Sequence, residues 1–254
     1  MNLVLLTALG VGGATIVGAL IGFLFKKQTH TFSDIVLSFA AGVMLCAAVI
    51  GLIMPSLESG EGIVSLTVTI TGVVLGAICV NLIDKLVPHL HKLGGDSGEE
   101  IHPERQEKLN KVLLFVVAIA IHNLPEGIAA GVGFGTGDTA QAMTIAGGIA
   151  LQNIPEGMVI IAPMLAAGMS KGKTLMIAMF TGIIEVIGTL IGYFAVSIST
   201  AILPFALAFA GGTMLYVISD EMIPETHAHG HERGATYSLI IGFCLMLAFD
   251  FLLG

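Results

Sequence analysis

Long apolar runs separated by short polar connections set the first expectation for this chain. They fall at Leu3–Phe25, Ile35–Leu57, Ile63–Ile83, Val112–Phe134, Ala140–Ala167, Leu175–Val196, Ile202–Ile223 and Thr236–Leu253. About 20 apolar residues in a helix cross a hydrocarbon core roughly 30 Å thick, so each run is long enough for one crossing. Lipid offers no hydrogen bonds, so a spanning backbone must satisfy its own polar groups, and helices do this within one segment. The period-two alternation of a membrane barrel is absent. The pattern predicts an all-α membrane protein with eight transmembrane helices, residues 1–254 forming a single transmembrane domain.

The basic residues orient that prediction. Lys26 and Lys27 follow the first run, and Lys85, Lys92, Arg105, Lys108 and Lys111 lie between the third and fourth. Lys171 and Lys173 lie between the fifth and sixth, and Arg233 between the seventh and eighth. In an eight-span topology all ten fall on one face, which the positive-inside rule makes cytoplasmic, with both termini outside. The longest connection, 85–111, is a cytoplasmic loop bearing His89, His91 and His102. The first run has no basic segment before it and reads as a retained span rather than a signal peptide.

Composition narrows the function classes. Charged residues make up 11% of the chain, against about 25% in soluble domains, so the surface is one for lipid. The net charge is −8 and no basic patch exists for nucleic acid. Cys46, Cys79 and Cys244 lie in apolar stretches without C-x-x-C spacing and read as small buried hydrophobes.

Polar chemistry is concentrated in the middle of three runs. The fourth holds His122-Asn123-Leu124-Pro125-Glu126-Gly127 and the fifth Gln152-Asn153-Ile154-Pro155-Glu156-Gly157, two copies of one pattern. The sixth holds Glu185. All three clusters sit near the centres of their runs, at the depth where ionisable groups are most costly and where transporter sites are built. Residues four apart share a helix face, which places His122 beside Glu126 and Gln152 beside Glu156; Asn123 and Asn153 adjoin them. Each proline removes a ladder hydrogen bond and displaces a carbonyl about a turn earlier. Imidazole, carboxylate and amide oxygen together suit zinc and its first-row neighbours. Three buried carboxylates must be neutralised by protons or by divalent cations, and the histidine and paired amides favour a metal. A metalloprotease would carry H-E-x-x-H, whereas Asn123 follows His122 and residue 126 is not histidine.

At these residues the chain resembles the ZIP family of metal transporters, over nearly its whole length. Ser38-Phe39-Ala40-Ala41-Gly42-Val43-Met44-Leu45 is similar to the family's second-span motif. Leu82-Ile83-Asp84-Lys85-Leu86-Val87-Pro88-His89 and Ser219-Asp220-Glu221-Met222-Ile223-Pro224-Glu225-Thr226-His227 resemble its GufA-like branch. The resemblance implies a 3+2+3 arrangement, with inverted repeats of three spans around a central pair, and an elevator-like movement of the metal-bearing helices. It also implies a homodimer and two ions per protomer. One ion would be held by His122, Glu126, Gln152 and Glu156 with Met44 nearby. The other would be held by Asn123, Glu126, Asn153, Glu156 and Glu185. Many relatives carry histidine where Gln152 stands. The neutral amide here widens the expected cargo from zinc to cadmium, iron, manganese, nickel, cobalt or copper.

The remaining polar residues trace a route. Glu58 and Asp250 lie near the outer ends of the second and eighth runs, where they could gather cations. Asn81 and Asp84, then Asp220, Glu221, His227, His229 and His231, approach the cytoplasmic ends of the third and seventh. The expected function is divalent-metal import, zinc above all, across a bacterial inner membrane. A metal-selective channel, an intramembrane metalloenzyme and a metal-sensing receptor are the alternatives.

Overall fold

The structure, a computed structural model, describes residues 2–25, 29–93, 123–166 and 168–253. Eight helices carry these residues, with no strand among them. They are α1 (Asn2–Gly22), α2 (His30–Glu58), α3 (Gly62–Leu93), α4 (123–133), α5 (Thr139–Ala166), α6 (Lys171–Ile198), α7 (Leu203–Thr226) and α8 (Glu232–Leu253). Among the described residues seven are long and apolar enough to cross a membrane; α4 is described only from residue 123. The expected membrane-spanning all-helical architecture is therefore observed. The helix of the third run carries on to Leu93, well into the segment expected as a loop.

Local chemistry explains where the helices start and bend. The Thr29 hydroxyl accepts from Phe32 N at 3.2 Å and opens α2. Asp138 Oδ1 accepts from Ala140 N at 2.8 Å and opens α5, each satisfying an amide that the helix cannot. Both α2 and α7 contain a π-helical stretch, Ala47–Ile53 and Ile218–Met222, and a proline follows each closely, at Pro55 and Pro224. A proline ring clashes with the carbonyl four residues back. A widened turn just before it relieves that clash by taking in an extra residue.

The helices are built inside out. On α6, Ile183, Ile187 and Ile191 are exposed, one helical turn apart, while Gly182, Glu185, Gly188, Thr189 and Gly192 are buried. A soluble helix shows the reverse polarity; here lipid takes the apolar face and the small and polar residues face other helices. Glycine then sets the helix spacing. A Cβ on Gly157 would fall on the Thr15 carbonyl, and one on Gly127 on the Glu185 carbonyl. So α1 packs against α5 and α6, and α4 against α6, backbone to backbone. In the other half, α3 packs on α7 and α8 on α2. Larger side chains, among them Met44, Ile145, Ile149 and Met246, fill the space where α2, α5 and α8 meet.

Candidate metal site between four helices

The close packing brings α1, α4, α5 and α6 together around a buried polar cluster. Asn123, Glu126, Gln152, Asn153 and Glu185 are each no more than 1% exposed. Gln152 Nε2 donates to Glu126 Oε1 at 2.9 Å, linking the two copies of the repeated motif. Asn153 Nδ2 donates to Glu185 Oε1 and, at 3.2 Å, to the Val11 carbonyl. Thr15 Oγ1 donates to Glu185 Oε2 at 3.2 Å. Glu156 is half-buried, and its charge and that of Glu185 both act on Glu126. The structure thus links Glu126 with Gln152 and Asn153 with Glu185, and places Glu156 within electrostatic reach of both carboxyl groups. Pro155 lies within α5, which continues through it.

What this cluster lacks is as informative as what it contains. Among the described residues, Asn123 Oδ1, Glu126 Oε2, Gln152 Oε1 and Asn153 Oδ1 are buried oxygens with no hydrogen-bond partner. A buried polar atom without a partner costs about 1–3 kcal/mol, and more if it is charged. Four such acceptors in one cluster with the carboxyl groups of Glu126 and Glu185, and Glu156 close by, make an electron-rich group suited to a cation. Among the described residues no three His, Cys, Asp or Glu groups enclose an ion by themselves. The donor set found here is a mixture of carboxylate and amide oxygens. His122 lies outside the described residues. Met44, on α2, is 1% exposed and belongs to the same apolar cluster as Ile149, which lies one turn before Gln152 on α5.

Two members of the cluster were not singled out from sequence: Thr15 and the Val11 carbonyl, both on α1. Thr15 lies near the middle of the first apolar run, at the depth that marked the other three, and that depth is the signal that could have found it. The route residues are scattered. Glu58 and Asp220 are exposed; Glu221 and Asp250 are half-buried. Asn81 Nδ2 donates to the Tyr216 hydroxyl at 2.6 Å, tying α3 to α7. The side chain of Asp84 lies outside the described residues. His227 Nδ1 is 2.9 Å from the Ile223 carbonyl and its Nε2 3.1 Å from Thr236 Oγ1, so both ring nitrogens are occupied locally. His229 reaches Asp34, and His231 is exposed.

Comparison with known proteins gives one consistent result. The family profile described as ZIP Zinc transporter matches residues 94–250. The chain is 43% identical to the zinc transporter GufA of Myxococcus xanthus, over 72% of this chain and 70% of that protein. It is 37% identical to the zinc transporter ZIPB of Bordetella bronchiseptica, over 95% and 78%. With the zinc transporter ZIP11 of Xenopus tropicalis it shares 32% identity over 98% and 97%.

Proposed function

The chain belongs to the ZIP zinc transporter family, and from that premise we propose that it carries zinc and related divalent metals through the cluster between α1, α4, α5 and α6. It is a multi-pass membrane protein and not an enzyme. The observation that carries the proposal is the set of four buried oxygens that, among the described residues, have no partner, in one cluster with Glu126 and Glu185. In this reading Glu126 and Glu156 bridge two ions. His122 and Gln152 complete one coordination sphere, with the Met44 sulfur nearby, and Asn123, Asn153 and Glu185 complete the other. Thr15 and the Val11 carbonyl orient Glu185 and Asn153 from outside the coordination sphere, and such hydrogen-bonded partners commonly tune affinity.

The movement we infer is elevator-like. The supporting observation is a contrast in packing. Helices α1, α4, α5 and α6 meet through glycine, backbone on backbone. An apolar cleft of about 510 Å³ separates α4 and α6 from α3 and α7, lined by Leu124, Ile128, Ile187, Val80 and Phe209 among others. On that side the glycine-locked unit borders an apolar cleft, which leaves room for it to move as one body. The reading also takes the first three and last three spans as inverted repeats around the central pair, the 3+2+3 arrangement. In support, α1 packs on α5 while α6 packs on α4, and α2 and α7 share the π-stretch-then-proline feature. We further propose import into the cytoplasm, a bacterial inner-membrane location with both termini outside, and a homodimer. Glu58 and Asp250 would gather ions outside; Asn81, Asp84, Asp220, Glu221 and the histidines at 227, 229 and 231 would receive them inside.

The test is zinc flux into proteoliposomes holding a fluorescent zinc indicator. Saturable, slow uptake is expected. Flux rising linearly with zinc at near-diffusive rates would make the protein a channel, and binding without flux would overturn transport. Metal entering a carboxylate site displaces protons, so zinc affinity is expected to fall as pH is lowered from about 8 to about 5. A flat profile would refute that exchange. Gln152→His replaces an amide oxygen with an imidazole nitrogen. It is expected to tighten zinc relative to manganese, because imidazole suits zinc and oxygen donors suit manganese. Competition uptake measures this, and an unchanged zinc-to-manganese ratio would remove Gln152 from the coordination sphere.

A further inference from the structure

A second metal-capable group lies away from the midplane cluster, where the start of α2 meets the turn between α7 and α8. His229 Nδ1 is 3.0 Å from Asp34 Oδ1. Asp34 is 2% exposed, one turn into α2, and its Oδ2 is buried with no hydrogen-bond partner among the described residues. The His30 ring stacks on that of His229, with centroids 4.4 Å apart and planes 27° from parallel. The His229 side chain remains 27% exposed, whereas its carboxylate partner is closed off.

We propose that His229 and His30, backed by Asp34, form a zinc-docking site on this face, separate from the midplane. When Nδ1–H is donated to a carboxylate, the tautomer is fixed and Nε2 is left with its lone pair free. Histidines that ligate metals are commonly held this way, their other nitrogen bonded to a carboxylate that orients the ring and raises its basicity. Asp34 stands in that position toward His229. His30 opens α2, apart from the α7–α8 turn that carries His229, and is exposed, so a change of its side-chain torsions brings a second imidazole nitrogen toward the same point. His231 is exposed two residues along the same turn and is available as a third ligand. Imidazole selects zinc and its late first-row neighbours over magnesium and calcium.

Among the described residues no three such groups are already gathered around an ion. With two imidazoles from the protein and His231 available as a third, a bound ion would keep coordination positions for water. An open sphere suits a place where metal is held briefly and passed on, unlike the closed four-ligand sites that hold structural zinc. Asp34 is also a purposeful residue in this reading. A buried carboxylate oxygen without a partner is costly, and a divalent ion on the far side of the imidazole compensates it electrostatically.

The site does not depend on the midplane reading, and one titration separates the two. Purified full-length protein carrying Glu126→Gln and Glu156→Gln, which strip two carboxylates from the midplane, is titrated with zinc against a chromophoric chelator. We expect one ion to remain bound. Adding His229→Gln, which keeps a polar group facing Asp34, should abolish that ion. Adding Asp34→Asn should weaken it by about 10–100-fold, the usual cost of losing such an outer partner, and His30→Ala should also weaken it. Gel-filtration profile and thermal unfolding report whether each variant is folded, and His229→Gln with His30→Ala decide the matter if Asp34→Asn is not. Residual zinc indifferent to His229→Gln, or no residual zinc, would overturn the docking site. If wild type and the double variant bind equal amounts of zinc, the midplane reading fails and the docking site stands.

Discussion

Glu126→Ala is expected to abolish zinc uptake by proteoliposomes while leaving the protein folded and inserted. The structure ties Glu126 directly to the other copy of the motif, through Gln152 at 2.9 Å. Its second oxygen is buried and, among the described residues, has no hydrogen-bond partner. In the proposed site Glu126 is a ligand that both ions share, so removing its side chain should cost at least as much as the roughly 10–100-fold typical of disturbing a supporting partner. Glu126→Gln sharpens the interpretation. It keeps the volume and leaves an oxygen that can accept from Gln152, so packing survives while the negative charge goes. If charge is what draws the metal, the glutamine variant should be nearly as inactive as the alanine one. Saturable uptake at the wild-type level in Glu126→Gln would show that the carboxylate is structural. Thermal stability of Glu126→Gln is expected to hold or rise, since it keeps an acceptor for Gln152 while removing a carboxyl group that burial disfavours when charged.

The span pattern and the midplane cluster were legible in sequence because both rest on strong signals. A run of twenty apolar residues has few alternative explanations, and a glutamate in the middle of one has fewer. What escaped are features without a cost that shows in hydropathy. Thr15 is weakly polar and common in membrane helices, yet its hydroxyl holds Glu185. The π stretches at Ala47–Ile53 and Ile218–Met222 change the helix phase without changing composition. Only Pro55 and Pro224 mark them. The pairing of Asp34 with His229 joins residues 195 apart in sequence, and no local pattern connects them. The continuation of α3 to Leu93 was hidden because the segment is polar, and polarity signals departure from lipid rather than the end of a helix.

Glycine is where the fold and the site depend on each other most directly, and Gly127→Leu should lose zinc binding and transport together. A Cβ at 127 would fall on the carbonyl oxygen of Glu185, and its next nearest neighbour is the Glu185 carbonyl carbon at 2.9 Å. Neither is the mobile end of a side chain, so α4 and α6 must move apart. Overpacking of this kind costs typically about 1–3 kcal/mol, which a bundle can survive. The site cannot follow as easily. Glu126 is the residue before Gly127 and Glu185 stands on the facing helix, so separating the helices separates the carboxylates, and metal–ligand distances tolerate only about 0.2 Å. Gly131→Leu provides a second reading of the same cause: its Cβ would fall on the Thr189 carbonyl, one turn further along the same pair of helices, and it should lower zinc affinity without touching the glutamates' neighbours in sequence. Gly10→Leu, where nothing lies within 4 Å of the added Cβ, should transport as wild type. Zinc titration and flux on the three variants decide the point. Normal binding in Gly127→Leu and Gly131→Leu would mean that the spacing of α4 and α6 does not set the geometry of the site.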